Sequence, residues 1–162
     1  MSWLRKKKKY SKPRKLYDKV RIEEENELLR NYGLKNKREI WKADSAIERI
    51  RKQAKSLITA DKEKQDVLLE KLNKIGFKVE KIADILALNK EDWLKRRLQS
   101  FLVEKKLAKP KEARQLIAHK HVKVDGKIIN IPSYIVKIKE ESKIEVSKSK
   151  KEITQKGEEN GR

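Results

Sequence analysis

The chain has 162 residues, of which 43% are charged and 36% hydrophobic, with a formal net charge of +20 at pH 7. This composition allows only small hydrophobic cores, and the excess of cations favours a polyanionic partner such as nucleic acid. The longest stretch without a charge, residues 128–136, is too short to span a bilayer, which needs about 20 residues. No cysteine is present, which excludes a disulfide framework and a thiolate zinc site and fits a cytoplasmic protein.

Residues 1–17 form a basic arm. Residues 1–21 carry a net charge of +9, with few apolar side chains and a proline at position 13. We expect the arm to be disordered when free, because it has too little apolar surface to bury. Its aromatic residues suit stacking on bases, although a solubilising or nuclear-localisation tail remains an alternative. The predicted nucleic-acid contacts of the arm are Lys6, Lys7, Lys8, Lys9, Lys12, Arg14 and Lys15.

Residues 18–88 are predicted to form a helical domain. Its charges nearly balance, since residues 22–93 carry a net charge of only +1. Asp18 and Gly33 mark the ends of a first helix, and Asn36 with Glu39 resembles a capping box that starts a second. The residues expected to face inward on the second helix are Ile40, Ala43, Ile47, Ile50, Ala54 and Leu57.

Two further helices are predicted at residues 62–75, ending at Gly76, and at about 80–87. In the former, Val67, Leu68, Leu72 and Ile75 are expected to face inward. The thin apolar stripes also allow a coiled coil, but the heptad pattern does not persist past three turns.

Residues 89–146 are predicted to form a module of two helices and a small sheet. Asn89 starts a helix that continues through LKRRLQSFLVEKK, with Leu94, Leu98, Phe101 and Leu102 buried. Arg96 should point away from this stripe and Arg97 should lie on its flank. Pro110 opens a second helix, with Ala113, Leu116 and Ile117 inside. Its outer face is predicted to carry Lys111, Arg114, Gln115 and Ala118.

Sequence with a period of two follows His121. Asp125-Gly126 is typical of a two-residue hairpin loop, and PSYIVKIK and KIEV are predicted to add two strands. The sequence therefore predicts an α+β fold: a mainly helical N-terminal region with a small helix–helix–antiparallel-sheet module on the C-terminal side. Residues 147–162 are expected to be a disordered tail.

Catalysis, a metal and a cofactor find no support in the sequence. His119 and His121 are spaced as ligands, and Asp125 offers a third group, but a structural zinc site needs about four ligands. The carboxylates alternate with lysines on helical faces, where surface ion pairs are the default. The glycines are isolated, so no glycine-rich phosphate loop is present. We therefore expect a binding protein with no small-molecule substrate.

Two stretches resemble a known family. The run RRLQSFLVEKKLAKPKEARQLIAHKHVKVDGKIINIPSY, residues 96–134, resembles the RNA-binding domain of the universal fourth protein family of the small ribosomal subunit. That domain also occurs in some aminoacyl-tRNA synthetases, pseudouridine synthases and heat-shock proteins. The stretch YGLKNKREIWKA, residues 32–43, resembles the more specific signature of the archaeal and eukaryotic form, and the resemblance covers about residues 1–146.

The sequence departs from the family pattern at three places. Lys120 stands where members usually have glycine, and a left-handed backbone there would cost about 1 kcal/mol. The loop around Lys109 and Pro110 is about one residue shorter than usual, and Gln99 stands where bacterial members more often have aspartate.

The resemblance implies two groups of RNA-binding residues. The signature supplies Lys35, Asn36, Lys37 and Arg38. The module supplies Arg96, Arg97, Lys109, Lys111, Arg114, Gln115, His119, Lys120, His121 and Lys123. Of these residues, we expect Arg97, Lys111 and Arg114 to contribute most to RNA binding. Trp41 belongs to the same signature, but it equally suits a core position.

The resemblance implies a structural, non-catalytic protein that binds small-subunit ribosomal RNA at a multi-helix junction. It would nucleate assembly, lie beside other small-subunit proteins where messenger RNA enters, and influence decoding accuracy. The arm would order on RNA, and the protein would be cytoplasmic and ribosome-bound, without membrane contact. An accessory protein for RNA modification or ribosome recycling and a basic DNA-binding protein are the alternatives.

Overall fold

Four helices make up the N-terminal part of the computed structural model, which describes residues 9–147. They are α1 (Lys19–Asn31), α2 (Lys37–Leu57), α3 (Lys62–Ile75) and α4 (Ile82–Ala87). Gly76 ends α3 with a φ of 102°, and its amide donates to the Leu72 carbonyl at 3.1 Å. Glycine suits this position because a side chain strains a left-handed backbone. The predicted positions of these helices are confirmed.

The apolar faces of these helices pack largely as the helical period predicts. Ile40, Ala43 and Ile47 of α2 are buried, and Leu68 and Leu72 of α3 join a cluster with Ala54, Phe77, Val79 and Ile85. The prediction for Val67 is wrong, since it is 68% exposed. At 100° per residue, Val67 lies about 100° from the centre of the stripe that the other apolar residues of α3 define.

The module contains three helices, α5 (Lys90–Lys95), α6 (Leu98–Glu104) and α7 (Pro110–Ala118). The first two were predicted as one helix, and that prediction is wrong because the backbone of Arg97 is extended, with φ −74° and ψ 143°. Tertiary hydrogen bonds stabilise the break. The Val136 amide donates to the Arg96 carbonyl at 3.0 Å, and the Leu98 amide donates to the Tyr134 carbonyl at 2.8 Å.

A three-stranded antiparallel sheet follows, with β1 (Val122–Val124) between β2 (Lys127–Ile128) and β3 (Ile144–Val146). Val124 pairs with Lys127, so Asp125 and Gly126 form the loop. Their φ angles of 51° and 75° match the primed turn that closes two-residue hairpins. The predicted hairpin and the KIEV strand are confirmed.

The strand predicted from PSYIVKIK does not form. This segment makes one isolated bridge, between Arg97 and Ile135, and then a 3-10 helix at Ile138–Lys143. Pro132 has no amide hydrogen to donate to a ladder, and the amide of Val136 is already bonded to Arg96. The segment therefore pairs with the break between α5 and α6 instead of with the sheet.

The module has its own apolar core. All four residues of the predicted stripe, Leu94, Leu98, Phe101 and Leu102, are buried. The last three pack with Ala113, Ile117, Val122, Val124 and Val136. The fold is α+β, as the sequence predicts. Within residues 9–147, no helix combines the length and the apolar character needed to cross a membrane.

Candidate nucleic-acid interface

The arm lies partly along α2. Lys9, Lys12, Arg14 and Lys15 are exposed, whereas Lys6, Lys7 and Lys8 lie outside the described residues. The Ser11 amide donates to Ser45 Oγ at 3.2 Å, and the Tyr10 ring is 6.1 Å from that of Trp41. Tyr17 is 91% exposed and is accessible for stacking on a base.

A buried carboxylate organises the start of α2. Glu25 Oε1 accepts from Arg21 Nη1 at 2.6 Å and from Trp41 Nε1 at 2.9 Å, while Lys37 Nζ lies 3.3 Å from Oε2. Burial raises the pKa of Glu25, but the hydrogen bonds from Trp41, Arg21 and Lys37 outweigh it and the net pKa is below its ordinary value. Trp41 therefore has the structural role that was the alternative to RNA contact, and Lys37 points toward Glu25.

The start of α2 presents three polar side chains to solvent, those of Lys35, Asn36 and Arg38. Asn36 is the N-cap, but its side chain makes no capping hydrogen bond, so the predicted capping box is wrong. Glu39 Oε1 accepts from the Lys35 amide at 3.3 Å instead of the Asn36 amide. Its carboxylate faces two arginines of the module.

Glu39, Arg97 and Arg114 form an ionic cluster, here termed the Glu39 clamp. Arg97 Nη2 lies 2.5 Å from Glu39 Oε2, and Arg114 Nη2 lies 3.0 Å from Oε1. Burial raises the pKa of Glu39, but the hydrogen bonds from Arg114 and Arg97 outweigh it and leave the pKa below its ordinary value. Arg97, which we expected on the flank of the buried stripe and among the main RNA-binding residues, is only 4% exposed. The extended backbone at Arg97 turns its side chain inward.

Gln99 joins α7 to the loop before α2, residues 32–36, here termed the signature loop. Its Nε2 donates to the carbonyls of Tyr32 at 3.1 Å, Gly33 at 2.8 Å and Pro110 at 2.9 Å. Gly33 has a φ of 58°, and a Cβ there would come within 2.7 Å of Pro110 Cβ. Sequence reasoning singled out Gln99 only as a departure from the family, and no local pattern indicates its three acceptors.

Arg96 also has a structural position. Its Nη2 donates to the Val136 carbonyl at 2.7 Å and to Glu141 Oε1 at 2.6 Å. The guanidinium covers Gly76, where a Cβ would meet Arg96 Cζ at 2.5 Å. The expectation that Arg96 points outward is therefore wrong, because the helix breaks immediately after it.

The outer face of α7 matches its prediction at three positions, since Lys111, Gln115 and Ala118 are exposed. Arg114 is half-buried because its guanidinium turns toward Glu39. Exposed cations and a histidine continue this face beyond the helix, at Lys109, His119, Lys120 and Lys123, whereas His121 is half-buried.

Lys120 ends α7 in the left-handed region, with a φ of 65°. Its amide donates to the Ile117 carbonyl at 3.0 Å, and the His121 amide donates to the Leu116 carbonyl at 2.9 Å. This is the hydrogen-bond pattern that usually favours glycine. The rings of His119 and His121 are 6.4 Å apart, and residues 9–147 contain no group of three or more side chains suited to a metal ion.

A cleft of about 330 Å³ brings the two predicted RNA-binding groups together. Cations from α2 line one side, Arg97 and Arg114 line another, and Pro132 and Ser133 close it. Among residues 9–147, Glu39 is the one acidic residue that lines the cleft, and both arginines already neutralise it. Lys42 also lines the cleft and was missed by sequence reasoning, although its position one turn after Arg38 was a signal. Such a cleft suits phosphate oxygens.

Comparison with known proteins agrees with this geometry. Residues 96–142 match the S4 domain family. The small ribosomal subunit protein uS4 of Korarchaeum cryptofilum is 43% identical over 144 residues, covering 85% of this chain and 87% of the relative. That of Methanothermobacter thermautotrophicus is 43% identical over 144 residues, with coverages of 85% and 84%. That of Saccharolobus islandicus (strain L.S.2.15 / Lassen #1) is 45% identical over 148 residues, with coverages of 85% and 81%. The chain therefore belongs to the uS4 family of small ribosomal subunit proteins.

Proposed function

We propose that this protein is a structural component of the small ribosomal subunit that binds ribosomal RNA. Its membership of the uS4 family supports this role, and so does the S4 domain at residues 96–142. The protein is not an enzyme, and its partners are small-subunit ribosomal RNA and neighbouring ribosomal proteins. Its place is on the cytoplasmic ribosome.

The main support for an RNA-binding surface is the cleft between α2 and the module. Arg38 and Lys42 reach it from α2, Lys35 reaches it from the loop before α2, and the exposed face of α7 adds Lys111 beyond it. Phosphate contacts of this kind position a protein on RNA without reading its sequence. The two basic faces are held in one arrangement, so they suit a fixed arrangement of RNA backbones, as at a multi-helix junction.

The proposed interface leaves different tasks to different arginines and lysines. Lys35, Arg38, Lys42 and Lys111 have the exposure to contact phosphates directly, whereas Arg97 and Arg96 are committed to protein contacts. Arg114 combines both tasks, since its guanidinium bonds Glu39 and also lines the cleft. Because the exposed groups need little rearrangement, binding early in assembly is favourable.

The finer organisation is part of the same proposal. Residues 18–88 form the helical region and residues 89–146 form the module, and residues 9–17 belong to the arm that would order on RNA, whereas the rest of the expected arm and nearly all of the expected tail, residues 1–8 and 148–162, lie outside the described residues. The protein would nucleate assembly around its junction, lie where messenger RNA enters, and so influence decoding accuracy. In the arm, the exposed Tyr17 can stack on a base and the exposed lysines can contact phosphates.

Binding across a salt series tests the proposal. The purified protein is titrated with the small-subunit RNA junction, with a random RNA duplex of equal charge, and with a DNA duplex. Non-specific binding weakens steeply with salt because it depends on counterion release. We expect the junction to retain a preference of at least about tenfold at high salt, equivalent to about 1.4 kcal/mol.

Two matched substitutions locate the interface. Arg38→Ala in the cleft should lower the preference for the junction severalfold. Lys71→Ala removes the same charge at an exposed position on α3, away from the cleft. It should weaken binding to all three nucleic acids equally. If the junction has no preference over the duplexes, or if both variants behave alike, charge alone explains the binding and the proposed interface is wrong.

A further inference from the structure

We propose that Glu39 is a positioning residue, which sets the angle between the helical region and the module so that both basic faces fit one RNA junction. The proposal rests on the proposed function, and it assigns to an acidic residue a role in binding a polyanion. Glu39 does not need to touch RNA for this role. It acts through the two arginines that its carboxylate holds.

The Glu39 clamp joins parts of the chain that are distant in sequence. Arg97 lies 58 residues and Arg114 lies 75 residues beyond Glu39. The two oxygens of one carboxylate accept from both guanidiniums, at 2.5 Å for Arg97 and at 3.0 Å and 3.3 Å for Arg114. Charge-assisted bonds of this kind are short and directional, so they restrict the relative orientation of the groups they join.

Gln99 reinforces the same contact from the module side. Its amide nitrogen bonds the Gly33 carbonyl at 2.8 Å and the Pro110 carbonyl at 2.9 Å, and its Oε1 accepts from Arg114 Nη1 at 3.4 Å. Gln99 therefore links the loop before α2, the start of α7 and the Glu39 clamp. The loop before α2, α2 itself and α7, which carry the basic faces, therefore meet at one polar network.

Apolar packing joins the two parts through α5, which packs against α2, whereas the Glu39 clamp joins α2 to Arg97 and to α7. One hydrophobic cluster consists of residues between Ile50 and Trp93, and the other consists of residues between Leu98 and Val146. Trp93 of the module packs in the first cluster, with its ring 6.0 Å from that of Phe77, and no residue of α7 does. Buried ion pairs contribute little net stability, and their better-supported role is to select one geometry. The Glu39 clamp is placed to select the angle between the two clusters.

The charge of Glu39 makes the proposal testable, because two effects of its removal have opposite signs. Glu39→Gln raises the net charge by one, which alone should strengthen binding to any duplex. Loss of the clamp should weaken the preference for the junction. Glu48→Gln is the matched control: Glu48 lies on the same helix, is exposed, and its substitution changes the charge equally.

Two measurements on the full chain test the role of Glu39. The first is the ratio of junction to duplex affinity at several salt concentrations, below the unfolding temperature of each variant. The second is the distance distribution, without RNA, between dyes on Thr59→Cys and Asn130→Cys. Both sites are exposed, and the chain has no other cysteine. The distance measurement reports the angle between the two parts directly, which a general loss of stability below the unfolding temperature does not alter.

We expect Glu39→Gln to lower the affinity ratio about tenfold, a change of about 1.4 kcal/mol in discrimination, and to broaden the distance distribution. Glu48→Gln should leave both unchanged. If Glu39→Gln does not fold, Glu39→Asp replaces it: the charge is kept, but the shorter side chain no longer reaches both arginines.

The inference is overturned if the Glu39 variant has the same affinity ratio and the same distance distribution as Glu48→Gln, while the unmodified protein prefers the junction. That result leaves the proposed function standing. If the unmodified protein shows no preference for the junction, the proposed function fails and this inference fails with it.

Discussion

Gly33 lies where the loop before α2 touches the start of α7, and replacing it by alanine tests how tightly the two are fitted. Its φ of 58° strains any residue with a side chain. A Cβ there would also meet three atoms of Pro110, its Cβ at 2.7 Å and its carbonyl carbon and oxygen at 2.8 Å each. Two of these atoms are backbone, so α7 itself would have to shift. Gly126→Ala is the matched control, since its φ is 75° and no atom lies within 4 Å of the added Cβ.

The two substitutions share the cost of the left-handed backbone, about 1 kcal/mol. Gly33→Ala adds the displacement of Pro110, and with it the Gln99 amide loses its fitted position between the carbonyls of Gly33 and Pro110. A buried polar group left without its partners costs about 1–3 kcal/mol. We therefore expect Gly33→Ala to lower the free energy of unfolding by about 3 kcal/mol and Gly126→Ala by about 1 kcal/mol.

Urea unfolding followed by far-ultraviolet circular dichroism measures both values. A thermal scan should show the same order, because about 1 kcal/mol corresponds to a change of about 2–4 °C in Tm for a chain of this size. If the two variants differ by less than about 0.5 kcal/mol, the start of α7 moves aside at little cost. The tight fit between the signature loop and the module would then be refuted.

Three further predictions concern single residues. Lys120→Gly should raise the free energy of unfolding by about 0.5 kcal/mol, because relief of the left-handed strain exceeds the extra backbone entropy that glycine loses on folding; a decrease in urea unfolding would contradict this. The lowered pKa of Glu39 stabilises the fold above the pKa of its unfolded form, and this contribution is lost as the pH falls through the folded pKa. Glu39→Gln should therefore flatten the decline of Tm below about pH 5, whereas Glu48→Gln should leave the slope as it is. Trp41→Phe removes a hydrogen bond to the buried Glu25 and should cost about 2 kcal/mol; a cost near zero in the same urea assay would show that the bond is replaced by water.

The sequence predicts those features that depend on neighbours along the chain. The ends of α3, the left-handed glycine that follows it, and the Asp125-Gly126 hairpin all rest on local rules of capping and turn geometry. The apolar face of α6 follows from the helical period alone. Lys120 shows how far such reasoning extends: the family usually has glycine there, and the structure has a positive φ.

The features that were missed depend on residues distant in sequence. The break between α5 and α6 is stabilised by Tyr134 and Val136, which no pattern near Arg97 announces. Glu39 has the spacing of a capping box, but two arginines from the module compete successfully for its carboxylate. Gln99 finds acceptors 66 and 67 residues away. Local pattern therefore located the basic surface, but it did not distinguish side chains that face solvent from those that join the two parts.

The separation in sequence between Glu39 and its partners also orders events during synthesis. At about 5–20 residues per second, Arg114 follows Glu39 from the ribosome by about 4–15 s. The cluster between Ile50 and Trp93 is complete before then, whereas the break at Arg96 closes only when Val136 has been made. A nascent chain is therefore already strongly cationic while the angle between its basic faces is still unset. It should bind RNA by charge alone, and selectivity for shape should appear only after Arg114 has been made and the break has closed on Val136.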